Sequence, residues 1–122
     1  MNKKNNPTVC VDFDGVLAKY EGFQGEDHYG EPIQGAKEFL EKLNFVGLDF
    51  VIFTSHNPEE VKKWFKKYAF PEPKEITNKK IPAPVYIDDR VIKFEGNFSK
   101  LLSDLKNFNV YWKSKKIFEK YF

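Results

Sequence analysis

The sequence predicts an α/β protein with a mainly parallel sheet. Three apolar runs carry that expectation, "TVCVDFDGVLA", "DFVIFTS" and "APVYIDDR", because strands covered on both faces read as nearly continuous apolar stretches. Amphipathic segments separate them, and a strand, helix, strand, helix, strand order implies parallel pairing through crossovers. Each run also ends in polar groups: Asp12 with Asp14, Thr54 with Ser55, and Asp88 with Asp89. Ligands of open α/β sheets bind outside the carboxyl ends of the strands, so these groups are expected to converge on one edge.

Taken in order, Val9 to Phe13 reads as the first strand. Residues 18–34, "AKYEGFQGEDHYGEPIQ", are rich in glycine and aromatics and read as a hairpin or flap. Ala36, Phe39, Leu40 and Leu43 then fall at helical spacing, with Gly47 as a stop. "DFVIFTS" is the second strand. In "NPEEVKKWFKKY", Asn57 can cap a helix, Pro58 suits its first position, and Glu59 and Glu60 favour the positive end of its dipole. Val61, Trp64, Phe65 and Tyr68 form that helix's apolar stripe, which reads as core. "KEIT" reads as a short strand and "APVYIDDR" as the next. Ser99 to about Lys106 reads as a helix with Leu101, Leu102 and Leu105 inward. "NVYWK" and "KKIFEKYF" are ambiguous, and a last strand or extended segment followed by a short helix is expected.

The chain has 122 residues, enough for one domain with a core, so residues 1–122 are expected to form a single domain. An apolar fraction of 41% excludes a disordered class. One cysteine, Cys10, excludes an internal disulfide framework and argues against a cysteine zinc site. The opening "MNKKNNP" lacks the apolar core of a signal peptide, and no run approaches the roughly 18 to 20 apolar residues of a membrane span. A cytoplasmic protein is expected. The net charge of +2 does not indicate nucleic acid. Lys62, Lys63, Lys66 and Lys67 read as a solvated helix face, as do Lys113, Lys115, Lys116 and Lys120 in the tail. A weak phosphate-tracking role for these lysines stays open.

Each polar strand end has a plain reading alone. D-x-D can be the wet side of a half-exposed strand, Asp88 and Asp89 a turn, Thr54 and Ser55 the start of a cap. Their joint occurrence is harder to dismiss. Four carboxylates at one edge repel unless a cation neutralises them, and an all-oxygen set suits a hard ion such as Mg²⁺. Lys79 or Lys80 stands just upstream of the last acidic pair, and the Asn57-capped helix directs N–H groups to the same edge. Cation, lysine, hydroxyl and helix end together describe a phosphoryl pocket, where charge neutralisation and positioning do most of the chemistry.

The ordered set "VCVDFDGVL", "FVIFTS", a lysine, and "VYIDDR" resembles the haloacid dehalogenase-like (HAD) phosphatase superfamily, over residues 8 to 90, about two-thirds of the chain. The likeness is greatest to small bacterial and phage proteins with "T-N-x-K" and "Y-I-D-D-R" (here "ITNKK" and "YIDDR"). Two departures stand out: Val16 replaces a common Thr, and Asp88 lacks a preceding glycine. The resemblance implies a Rossmann-like three-layer α/β/α sandwich and a Mg²⁺-dependent phosphomonoester hydrolase. In it Asp12 is nucleophile and metal ligand. Asp14 is general acid and base, its backbone carbonyl also on the metal. Thr54 bonds the phosphoryl group with Ser55 beside it, and Lys80, with Lys79 in reserve, neutralises charge. Asp88 completes the metal shell, and Asp89 acts behind it, on a metal water or the lysine.

The gaps between motifs leave no room for a cap domain. A capless form has an open cleft, which in the family accompanies large phosphorylated partners or an oligomer whose neighbour closes the site. The flap residues Tyr20, Phe23, Gln24, His28 and Tyr29 are then the substrate-contact candidates, against a reading in which they only pack the hairpin. His56 is a candidate substrate contact, with a solvated helix-start histidine slightly favoured. For Arg90 a salt bridge to a site carboxylate is favoured over substrate binding. Three functions compete. Beside the phosphatase, whose specific substrate could be a nucleotide or polynucleotide end, stand a receiver-like phospho-accepting domain and a non-catalytic phospho-binding module. Receivers place the acidic pair first and lysine last, unlike this order.

Overall fold

The computed structural model describes residues 7–25 and 27–122. Residues 1–6, on which the expectation of no signal peptide mostly rests, and Glu26 of the flap lie outside the described residues. Contacts divide the chain into a unit ending at Asp89 and a unit from Arg90 to Phe122.

The first unit is built on four strands, β1 (Thr8–Asp12), β2 (Asp49–Phe53), β3 (Glu75–Thr77) and β4 (Val85–Ile87). They form one sheet in the order β3-β2-β1-β4, and every pairing is parallel. The fold is thus α/β with a Rossmann-like sheet. Val9 and Val11 stand in register with Phe50 and Ile52. By strand alternation these four share a face. They join one core with Ala36, Leu40 and Leu43 of helix α1 (Ala36–Phe45) and Val61, Trp64 and Phe65 of helix α2 (Pro58–Lys67). Cys10 and Val51 alternate to the opposite face and are buried as well. That explains why both strands read as unbroken apolar runs.

Helix α1 ends as expected. Gly47 takes φ +86°, and Gly47 and Leu48 return their N–H groups to Asn44 and Leu43. Phe39, expected inward, is partly exposed. Helix α2 begins with the Asn57 side chain accepting from Glu59 N–H at 2.9 Å, as its sequence indicates. No cap-like insertion interrupts the described part of this unit; the links hold the flap with α1, then α2, then residues 78–84.

The flap is a loop closed at its base. Lys19 N–H donates to Glu31, Ile33 N–H donates to Leu17, and Ala18 bridges Pro32 antiparallel. Trp64 Nε1 of α2 donates to Gly30 C=O at 2.9 Å, so a core tryptophan also pins the flap.

The second unit holds helix α3 (Phe98–Lys106), capped by the Asn97 side chain at Lys100 N–H, and a 3₁₀ turn at Glu119–Tyr121. Leu101 and Leu105 are half-buried, but Leu102, expected inward, is 54% exposed. "NVYWK" is not a strand. Val110 and Lys115 make one isolated antiparallel bridge around a turn. Glycine-free turns are hard to read from sequence, and this one uses Ser114 at φ +47°. Among the described residues no helix is long and apolar enough to cross a membrane.

Candidate functional site

Register brings the polar strand ends together. Asp12 ends β1 opposite Phe53, the last residue of β2, and Thr54 follows at once. Thr54 N–H extends the ladder to Thr77 C=O at 3.0 Å. On the other side Val11 pairs with Ile87, which sets Asp88 beside the end of β1. Asp12, Asp88 and Asp89 each offer a carboxylate oxygen to one cluster in which these atoms lie within 4.8 Å of one another. Asp12 is buried, Asp89 half-buried and Asp88 exposed. Two full charges 4.8 Å apart at an effective dielectric of about 20 repel by about 3.5 kcal/mol, less where solvent screens Asp88. Three hard oxygen donors suit a hard cation, so the cluster fits a metal ion.

Gly15 makes room for this cluster. It has φ +86°, and a Cβ built there would overlap the Asp89 carboxylate. The glycine of D-x-D-G therefore does more than let the chain turn after Asp14. It admits Asp89 against the first loop, into the acidic trio and not only behind it.

Asp14 is engaged differently. Its Oδ2 lies 2.7 Å from His56 Nε2, with both side chains largely enclosed, at 13% and 10% exposure. His56 is therefore not the solvated helix-start residue the sequence favours. Its position is fixed from several sides. His56 N–H donates to Thr54 Oγ1 at 3.0 Å, and its carbonyl accepts from Asn78 Nδ2 at 2.8 Å. Its ring lies 4.4 Å from the Tyr29 ring and meets Phe13 edge-on at 6.0 Å. Asn78 Nδ2 also donates to Thr54 C=O at 2.6 Å, tying the chain after β3 to the end of β2.

Asn78 and the Tyr29–His56 contact are what sequence reasoning missed. Asn78 sits in "T-N-x-K", but asparagine after a strand ordinarily signals only a turn. Tyr29 is one flap aromatic among several in the sequence; in the structure it packs against the core and against the His56 ring. Its hydroxyl pKa is raised by burial, then by the Glu60, Asp27 and Asp14 charges. Burial, with the Asp12 and Asp88 charges, raises that of the Cys10 thiol too.

The other candidates differ in exposure and contacts. Thr54 is buried, while Ser55, Lys79 and Lys80 are exposed. Lys80 Nζ stands 4.9 Å from the Tyr86 ring centroid, and Lys79 donates its backbone N–H to Thr77 Oγ1. Tyr20 is half-buried, whereas Phe23, Gln24 and His28 project from the exposed part of the flap. Arg90, in the second unit, lies 5.5 Å from the Trp112 ring centroid.

No protein-family model and no curated protein matches the chain. A conserved protein from Bacteroides thetaiotaomicron, of solved structure, is similar at TM-score 0.58 and 20% identity, covering 88% of this chain and 95% of its own. At that identity the likeness concerns the backbone alone, an α/β fold; the acidic cluster at the carboxyl edge of the parallel sheet is an observation on this chain.

Proposed function

We propose that this chain is a Mg²⁺-dependent phosphomonoesterase working through an aspartyl phosphate on Asp12. One observation carries the reading: of the four strand-end carboxylates, three crowd within 4.8 Å while the fourth, Asp14, pairs with His56. That is the division a phosphatase needs, with one set to hold charge and one group to handle a proton. Asp12, Asp88 and Asp89 would hold Mg²⁺, which when bound supplies charge neutralisation and orientation at the phosphoryl group.

Asp12 attacks phosphorus, its new O–P bond forming as the bond to the ester oxygen breaks. Asp14 gives the departing alkoxide a proton. It then takes one from the water that attacks the aspartyl phosphate, which releases inorganic phosphate and restores Asp12. The Thr54 hydroxyl binds a phosphoryl oxygen. Lys80, with Lys79 as the alternative, moves from its exposed position to neutralise the transferring group. The flap, with half-buried Tyr20 and exposed Phe23 and His28, faces the alcohol part of the ester, and Ser55 lies beside the phosphoryl group.

Hydrolysis of an aryl phosphate with Mg²⁺ tests the reading. Asp12→Asn is expected to lower kcat at least about 1,000-fold, as loss of a nucleophile does elsewhere, and EDTA to abolish turnover in the wild type. Ordinary turnover in Asp12→Asn overturns the proposal.

A further inference from the structure

We infer that His56 is a positioning residue for the proton-transferring carboxylate, not a substrate contact; the inference rests on the phosphatase reading above. A free aspartate side chain samples several rotamers, and only some aim the carboxylate at a given atom. Here His56 Nε2 meets Asp14 Oδ2 at 2.7 Å in a largely enclosed setting, which selects one orientation. The imidazole can do this because it is itself immobilised. Thr54 Oγ1 takes its backbone N–H, Asn78 holds its carbonyl, and the Tyr29 and Phe13 rings fix its plane. Its backbone ties join β2 and the segment after β3, and its ring contacts join the flap and the first loop, so the ring stands on the fold and not on a mobile chain end. With 10% of its side chain exposed, His56 offers little surface to a substrate.

The consequence is specific to steps that move a proton. An alkyl phosphate releases a basic alkoxide that must be protonated as it leaves. A 2,4-dinitrophenyl phosphate releases a phenolate stable without a proton. Loss of Asp14 positioning therefore slows phosphoryl transfer from the first ester and spares the second. General damage to the site slows both alike.

The experiment compares kcat/KM on these two esters for the wild type, His56→Phe and His56→Gln. Phe keeps a ring against Tyr29 and Phe13 and removes both nitrogens. Gln keeps an N–H donor. With a misaimed catalytic group costing about 10- to 100-fold, His56→Phe is expected to lose that much on the alkyl ester and less than about threefold on the dinitrophenyl ester. His56→Gln recovers part of the loss. Mg²⁺ affinity by calorimetry stays within about twofold of wild type in both, because the acidic trio is untouched. Equal losses on the two esters, no loss on either, or a loss of Mg²⁺ binding overturns the inference while the phosphatase reading stands. If His56→Phe does not fold, by its melting curve, His56→Gln decides: selective loss on the alkyl ester supports the inference, and equal or no loss overturns it. A wild type inactive on both esters overturns the phosphatase reading and the inference with it.

Discussion

The two units of this chain use similar side chains to opposite ends. The first, through Asp89, gathers residues from Val9 to Phe70 into one core, with Phe13, Leu17, Leu40, Ile52 and Val61 fully buried. The second has eight Phe, Tyr and Trp residues among its 33, yet Val110 is its one buried hydrophobic among the described residues. Its Phe94, Phe98 and Leu102 are half or more exposed. A parallel sheet gives each strand residue neighbours on both sides and a helix above. A single helix with a turn offers its aromatics far less cover, and small units bury little surface. Two of the second unit's eight basic residues compensate in part, as amphipathic side chains do, by lying over rings: Arg90 over Trp112 and Lys120 over Tyr121. Hydrophobicity in a sequence is thus a statement about core only where the topology can enclose it.

The largest effect that sharpens this contrast is Leu40→Ala. Leu40 is fully buried in the first core, and the change is expected to cost about 2–5 kcal/mol in urea unfolding. A cost below about 1 kcal/mol breaks the comparison. Gly15→Ala comes next, at about 1–3 kcal/mol, because it forces a side chain to φ +86°. It also pushes on Asp89, so divalent-cation affinity measured by calorimetry should fall with stability. Loss of stability with unchanged affinity separates the glycine's two tasks. Smallest is Leu102→Ser in the second unit, expected to shift stability by less than about 0.5 kcal/mol. A loss comparable to that of Leu40→Ala shows the exposed leucine to be covered in solution.

Much of the first unit was legible before the structure. The apolar runs marked three parallel strands, Asn57 and Pro58 marked the start of α2, and the Asp12, Thr54 and Asp88 strand ends marked one edge. These signals are local, or follow from parallel topology alone. The rest depends on contacts between distant residues. Asp14 meets His56 across a sequence gap that no pattern records, and Asn78 reaches the end of a neighbouring strand. Leu102 has the spacing of a core residue but not the surroundings. Asp89 could be ranked behind Asp88 on sequence, because only the folded chain shows it lodged against Gly15.

Among the described residues strand β4 is an outer strand, with three register pairs to β1 and none beyond. It is also the strand that delivers Asp88 and Asp89 to Asp12. The repulsion among those charges therefore acts on one of the thinnest pairings in the sheet. The opposite outer strand, β3, has as many pairs and leads to Asn78, an uncharged tether. Of the two edges, β4 is the one whose local opening is coupled to ionic conditions. Its backbone amides are expected to exchange with solvent faster when the carboxylates are bare and slower when salt or a divalent cation quiets them. The acidic cluster is in this sense a fastener for the sheet as well as a place for chemistry, and its occupancy can be read in the protection of Val85 to Ile87.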